Sequence, residues 1–286
     1  MSRRSARLSG PLVDAAWLHA HRDDVVVVDT RWYADGRSGY GAYLAGHLPG
    51  AVFADLDRDL AGPGSPEAGR HPLPAPEAFA TTLGRLGVAT DSTVVTYDDS
   101  SGSIAARLWW MLRQVGVAAA VLDGGIAAWG DALESGEVRP EPTSFAPRPW
   151  PAGAVVETAE LEELLRQPGA TLLDVRPAER FRGEPNPVDV RPGHVPGARN
   201  APWAEMVDPR TGRLLDADAL RELFTFAGAH DGDLLVASCG SGVAACHSLL
   251  AMEVAGLPPG KLYVGSWSAW SADPDRPVAT GPGEDA

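Results

Sequence analysis

Short apolar runs punctuate the chain at Val25–Val28, Val94–Tyr97, Val121–Leu122, Thr171–Leu173, Leu234–Ser238 and Leu262–Val264. They show little of the polar alternation of a half-exposed strand. Between them lie helical patterns at Ala75–Leu86, Ile104–Val115, Glu157–Arg166, Asp216–Phe226 and Ala245–Ala255. Strands that need no polar face, separated by helices, predict an α/β fold with a mainly parallel sheet covered by helices on both faces. Ligands of such sheets bind at the carboxyl ends of the strands.

The pattern occurs twice. Val25–Arg31 ends a strand in Asp29-Thr30-Arg31, and Thr171–Arg176 ends one in Asp174-Val175-Arg176. Gly46-His47-Leu48-Pro49-Gly50-Ala51 returns as Gly193-His194-Val195-Pro196-Gly197-Ala198, and Val121–Trp129 returns as Leu262–Trp270. Matches in the same order at offsets of 141 to 147 residues predict two copies of one domain. The stretch Leu133–Gly153 carries five prolines and reads as an extended connector. The expected organisation is a first domain over residues 1–138, a linker over 139–153 and a second domain over 154–286.

Within the second copy, one strand stops at a cysteine. Leu234–Ser238 runs into Cys239-Gly240-Ser241-Gly242-Val243-Ala244 and then into a helix. A turn of this kind aims backbone N–H groups and the positive end of a helix at the sulfur, which favours a thiolate and proposes nucleophilic sulfur chemistry. Aligned on the repeat, Asp98 stands opposite Cys239 in the first copy. A carboxylate cannot accept sulfur as a thiolate does, so only the second copy is expected to react. A dinucleotide fingerprint fits Gly240-x-Gly242-x-x-Ala245 loosely but lacks the acid about 20 residues on. A cysteine phosphatase needs an arginine six residues after its cysteine to fork onto phosphate. Position 245 is alanine.

Composition narrows the partners. The 286 residues carry a net charge of −14, with no basic cluster after Arg3, Arg4 and Arg7, which excludes nucleic acid as a natural partner. No run of 18 apolar residues and no signal-peptide core occur, so neither a membrane span nor export is expected. With only two cysteines, Cys239 and Cys246, the expected setting is a reducing, cytoplasmic one. No metal-ligand spacing is present, and no cofactor is expected.

From Val13 to Pro277 the chain resembles a tandem-domain rhodanese. The Asp-x-Arg strand ends, the Gly-His-x-Pro-Gly-Ala turns, Val121–Gly125 with Trp129, and Gly265-Ser266-Trp267 with Trp270 carry the resemblance. Cys239–Val243 is similar to the loop of the 3-mercaptopyruvate sulfurtransferase branch; the thiosulfate branch typically has Cys-Arg-x-Gly there. Thiosulfate is a dianion suited to cations in the loop, and this loop has none. Mercaptopyruvate bears a carboxylate beside a ketone, which a guanidinium outside the loop can grip.

The resemblance implies a two-domain sulfurtransferase that loads sulfur onto Cys239 as a persulfide, with Gly240, Ser241, Gly242, Val243 and Ala244 forming its cradle. Ala244 departs from the usual threonine. Arg180 is implied as the carboxylate-binding arginine, and Arg191 is the nearest counterpart of a second one, though it stands off the family position. Ser241, His71 and Asp57 are implied in proton transfer. The last two come from the first half, which would place the site in an interdomain cleft. His47 and His194 belong to both copies and read as fold residues; His247 has no assigned role. The implied acceptors are cyanide, a small thiol, thioredoxin or another sulfur-acceptor protein. Thiosulfate as donor, or a sulfur-relay module without its own catalysis, are the alternatives.

Overall fold

Each apolar run becomes a parallel strand in a computed structural model that describes residues 6–230 and 232–283. Arg3 and Arg4 lie outside the described residues. The first copy contains β1 (Leu12–Val13), β2 (Val26–Asp29), β3 (Val52–Phe53), β4 (Thr93–Tyr97) and β5 (Ala118–Leu122), ordered β1-β5-β4-β2-β3 with every pairing parallel. The second contains β6 (Val155–Val156), β7 (Ala170–Asp174), β8 (Arg199–Asn200), β9 (Leu234–Ser238) and β10 (Lys261–Tyr263), ordered β6-β10-β9-β7-β8 and again wholly parallel. Strand for strand the two orders are the same, so the sequence repeat is a repeat of topology. β2 and β4 are buried along their whole length, as central strands covered on both faces must be.

Helices flank each sheet, among them Pro76–Arg85, Ala105–Gln114, Ala217–Phe226 and Ala244–Val254. The last is buried continuously from Ala245 to Met252, which explains why its sequence shows no polar stripe. It starts one residue before the predicted Ala245. No described helix is long and apolar enough to cross a membrane.

The shared motifs tie strand ends to turns. Arg31 donates to the Asp29 carboxylate and, at 2.6 Å, to the Gly46 carbonyl. Arg176 repeats this with Asp174 and, at 2.8 Å, the Gly193 carbonyl. Beside these glycines, His47 and His194 are buried, with Nδ1 2.9 Å from the Tyr43 carbonyl and 2.7 Å from the Phe181 carbonyl. Burial lowers the His194 pKa, in keeping with a neutral structural imidazole.

Two compact units emerge. One comprises the described residues up to Gly62, Pro74–Trp150 and Pro209–Leu214; the other comprises Pro63–Leu73, Pro151–Asp208 and the residues from Leu215 onward. Pro63–Leu73 therefore belongs to the second unit although it lies in the first copy of the sequence. The proline-rich stretch Arg139–Trp150 has no regular element and lies along the first unit, where the Thr143 hydroxyl donates to the Val88 carbonyl and the Trp150 indole to that of Pro74.

Candidate active site

Cys239 directly follows β9 and is 4% exposed. The loop after it is held from behind by Gly265–Trp270. Cys239 N–H donates to Ser266 Oγ at 3.1 Å, Trp267 N–H donates to the Cys239 carbonyl at 3.0 Å, and Ser268 N–H donates to that of Gly240 at 3.1 Å. Ser266 adopts a positive φ of 49°, a strained setting for a residue with a side chain. In it, its hydroxyl joins the Cys239 N–H to the Tyr263 carbonyl.

Gly242 makes the sharp bend. Its φ is +77°, and a Cβ there would lie 2.5 Å from the Val264 carbonyl oxygen. Only glycine fits both the conformation and the approach. The bend directs Gly242 N–H to Cys239 Sγ at 3.1 Å and Ser241 N–H to it at 3.5 Å. These N–H dipoles turn their positive ends to the sulfur and stabilise negative charge on it. Val243 and Ala244 then open the helix Ala244–Val254 without a side-chain cap. A threonine hydroxyl at 244 is absent, so the helix start rests on the backbone alone.

Around this loop the second unit gathers polar side chains. His71 Nδ1 and Ser241 Oγ lie 2.8 Å apart, so an imidazole and a hydroxyl meet two residues from the sulfur. Arg180 forks onto Asp189 through Nε at 2.9 Å and Nη2 at 2.6 Å. Burial alone would raise the Asp189 pKa, but the Arg180 fork and the charges of Arg180 and Arg176 outweigh it and hold the carboxyl below its ordinary value. Arg176, almost fully buried, lies over the Trp267 ring at 4.7 Å.

Arg191 is engaged elsewhere. Its guanidinium donates to the carbonyls of Pro274 and Arg276 at 3.0 and 2.9 Å, and its own carbonyl accepts from the Trp267 indole. Asp57 lies on the short helix Leu56–Asp59 of the first unit, where its carboxylate accepts from the Trp32 indole at 2.8 Å.

Sequence reasoning passed over two residues here, Asp189 and Arg70. Arg70 precedes His71 and its Nη2 donates to the Gly240 carbonyl at 3.0 Å. The available signal was adjacency, since both share the run Gly69-Arg70-His71.

The first copy shows the same strand-end loop with a different filling. Asp98 is fully buried, and its carboxylate accepts four backbone N–H bonds, from Ser100 at 2.9 Å, Gly102 at 2.8 Å, Ile104 at 2.9 Å and Ala105 at 2.8 Å. Burial pushes its pKa up, and these N–H groups pull the other way.

The family model described as "Rhodanese-like domain" matches residues 13–132 and 157–273. A Pseudomonas aeruginosa protein named "Probable 3-mercaptopyruvate sulfurtransferase" is 46% identical, the match covering 90% of this chain and 93% of that one. A Mycobacterium tuberculosis protein named "Putative thiosulfate sulfurtransferase SseB" is 40% identical, covering 91% of this chain and 92% of its own. The crystal structure of SseA from Escherichia coli, described as having the rhodanese fold of 3-mercaptopyruvate sulfotransferases, aligns with a TM-score of 0.81 at 37% identity, covering 91% of this chain and 99% of that one.

Proposed function

The chain belongs to the rhodanese-like family, and on that premise we propose that it is a sulfurtransferase moving sulfur from 3-mercaptopyruvate through a Cys239 persulfide to a thiophilic acceptor. The observation that carries this reading is the Cys239 sulfur held by two backbone N–H groups, in a loop without its own cation, beside the forked Arg180.

Cys239 thiolate attacks the donor sulfur, the carbon–sulfur bond breaks, and its electron pair leaves with the three-carbon fragment as pyruvate enolate. The donor's thiol proton suffices to convert the enolate to pyruvate, and the Ser241–His71 pair is placed to carry it. Arg180 holds the carboxylate throughout. The Ser241 and Gly242 N–H groups, with those of Gly240, Val243 and Ala244 lining the same turn, stabilise the persulfide anion. Cyanide, a small thiol, thioredoxin or another acceptor protein then attacks the outer sulfur and releases Cys239 as thiolate. Asp57 supports proton transfer in this scheme by the family resemblance alone. A chain with only two cysteines suits a reducing, cytoplasmic setting.

The cycle is double displacement, so double-reciprocal plots against donor at several acceptor concentrations give parallel lines. Incubation with mercaptopyruvate alone should release pyruvate and add the mass of one sulfur to Cys239. A Cys239→Ser variant should lose both, and one that kept its transfer rate would sink the proposal. Thiosulfate is the second reading, favoured by the name of the Mycobacterium relative; the ratio of kcat/KM for the two donors decides between them.

A further inference from the structure

Beside the edge strand β3 the first unit holds a cavity of about 770 Å³ that the sulfur chemistry does not use. One wall is aromatic. The ring centroid of Phe53 lies 5.5 Å from that of Tyr40 and 5.3 Å from that of Tyr43. Tyr43 and Phe53 are buried while Tyr40 is 37% exposed, so the cluster comes to the surface through Tyr40.

A second wall is cationic. Arg58 and Arg85 share one carboxylate: Arg58 Nη2 lies 2.8 Å from Asp59 Oδ2 and Arg85 Nη2 lies 2.7 Å from Asp59 Oδ1. Asp59 is buried and also accepts from the Asp55 N–H and Arg58 Nε, which uses up its lone pairs. The two guanidinium side chains, 65% and 48% exposed, still have N–H groups to give. Asp55 is turned to its own helix, where it accepts from the Asp57 and Arg58 N–H groups. Arg139 is matched by Glu137 at 2.7 Å. The lining therefore sets three guanidinia against two carboxylates, a surplus of one positive charge in a chain of net charge −14.

The repeat supplies a comparison. The matching groove beside β8 measures about 350 Å³. Phe53 is paired with Asp29 as Asn200 is with Asp174; Arg85 and Phe226 end corresponding helices, and Asp59 and Met206 end corresponding single turns. The ring wall and the doubly paired carboxylate are thus features of the first copy, not of the shared fold.

We propose that this cavity is a binding site for a planar aromatic carboxylate, its ring lying against Tyr40 and Phe53 and its carboxylate taking the spare N–H groups of Arg58 and Arg85. The volume falls within the range of small-molecule sites, the rings supply a stacking surface, and a single negative charge closes the balance of the lining. The site gives the copy without a cysteine a role of its own, independent of which sulfur donor the second copy uses.

Isothermal titration of the full chain with 2-naphthoate tests it, with the uncharged 2-naphthamide as the paired probe. One 2-naphthoate should bind per chain, and the amide at least about 10-fold more weakly, as loss of a charge-assisted hydrogen bond requires. Arg85→Gln should weaken 2-naphthoate binding about 10- to 100-fold, and Arg85→Lys should recover part of it. Tyr40→Ala should weaken both probes, and reads the site without disturbing Asp59. Arg180→Gln should bind 2-naphthoate as wild type does, which separates this cavity from the carboxylate site beside Cys239. Absence of saturable binding at millimolar 2-naphthoate, equal affinity for the amide, wild-type affinity in both Arg85→Gln and Tyr40→Ala, or loss of binding in Arg180→Gln would each overturn the assignment and leave the proposed sulfur transfer untouched.

Discussion

A single methyl group at Gly242 should disable the cysteine loop. The Cβ of Gly242→Ala would sit 2.5 Å from the Val264 carbonyl oxygen, whereas real Cβ atoms essentially never come within 3.0 Å of such a neighbour, and the φ of +77° is one that side chains rarely adopt. Left-handed backbone in a residue with a side chain costs about 1–2 kcal/mol, and overpacking a close-packed interior about 1–3 kcal/mol. Relief requires the loop and the Val264 strand end to separate. The atom that moves with the loop is the Gly242 N–H, now 3.1 Å from Cys239 Sγ and the shorter of the two sulfur contacts. Losing a preorganised donor to a developing anion costs about 10²- to 10³-fold in rate. Gly242→Ala should therefore lower the melting temperature and slow pyruvate release in a single-turnover assay by at least about 10²-fold. Gly240→Ala is the matched control. The nearest atoms to its new methyl would be the guanidinium ends of the long side chains Arg70 and Arg180 rather than backbone, so it should weaken donor binding while leaving the melting temperature close to wild type. A Gly242→Ala protein with wild-type melting and wild-type pyruvate release would refute this account of the loop.

Arg191→Ala should lower stability by about 1.5–3 kcal/mol, the range for hydrogen bonds from a charged group, while leaving donor KM unchanged; chemical denaturation and steady-state kinetics read the two effects separately. Asp189→Asn should raise donor KM, because Arg180 loses the carboxylate that orients it, and should destabilise the second unit by removing a buried counter-charge of Arg176 and Arg180. The Asp189 pKa is depressed below its ordinary value of 3.8. Its contribution to stability is thus fully present above that value and lost as the pH falls through the lower folded-state pKa. Acid unfolding of the Asn variant should accordingly show a shallower pH dependence below about pH 4 than wild type.

Most of the fold could be read from the chain because each central strand is an unbroken apolar run and the repeat supplies every run twice. Helix ends were readable where a cap marks them: Asp216 accepts the Ala219 N–H at the start of Ala217–Phe226. The two-residue strands Leu12–Val13, Val52–Phe53, Val155–Val156 and Arg199–Asn200 were not, since two residues carry no period. Cys239 and its glycines announced the nucleophile through local turn chemistry. Arg70 was passed over although its neighbour His71 was singled out: its segment lies in the first copy of the sequence but packs with the second unit, and only adjacency to His71 pointed to it. Asp189 was obscured because a carboxylate in a polar stretch looks solvated until its two arginines are placed around it.

Asp98 gives the first copy a captive ligand. Its carboxylate takes four N–H groups of its own loop, the same kind of anion receptor that the second copy offers to sulfur, and it is tethered by the chain itself. A diffusing donor would have to displace a competitor that can never leave, because the chain itself holds it in place. Duplication has thus produced one receptor that cycles and one that is permanently saturated, and each chain should carry sulfur with a stoichiometry of one rather than two.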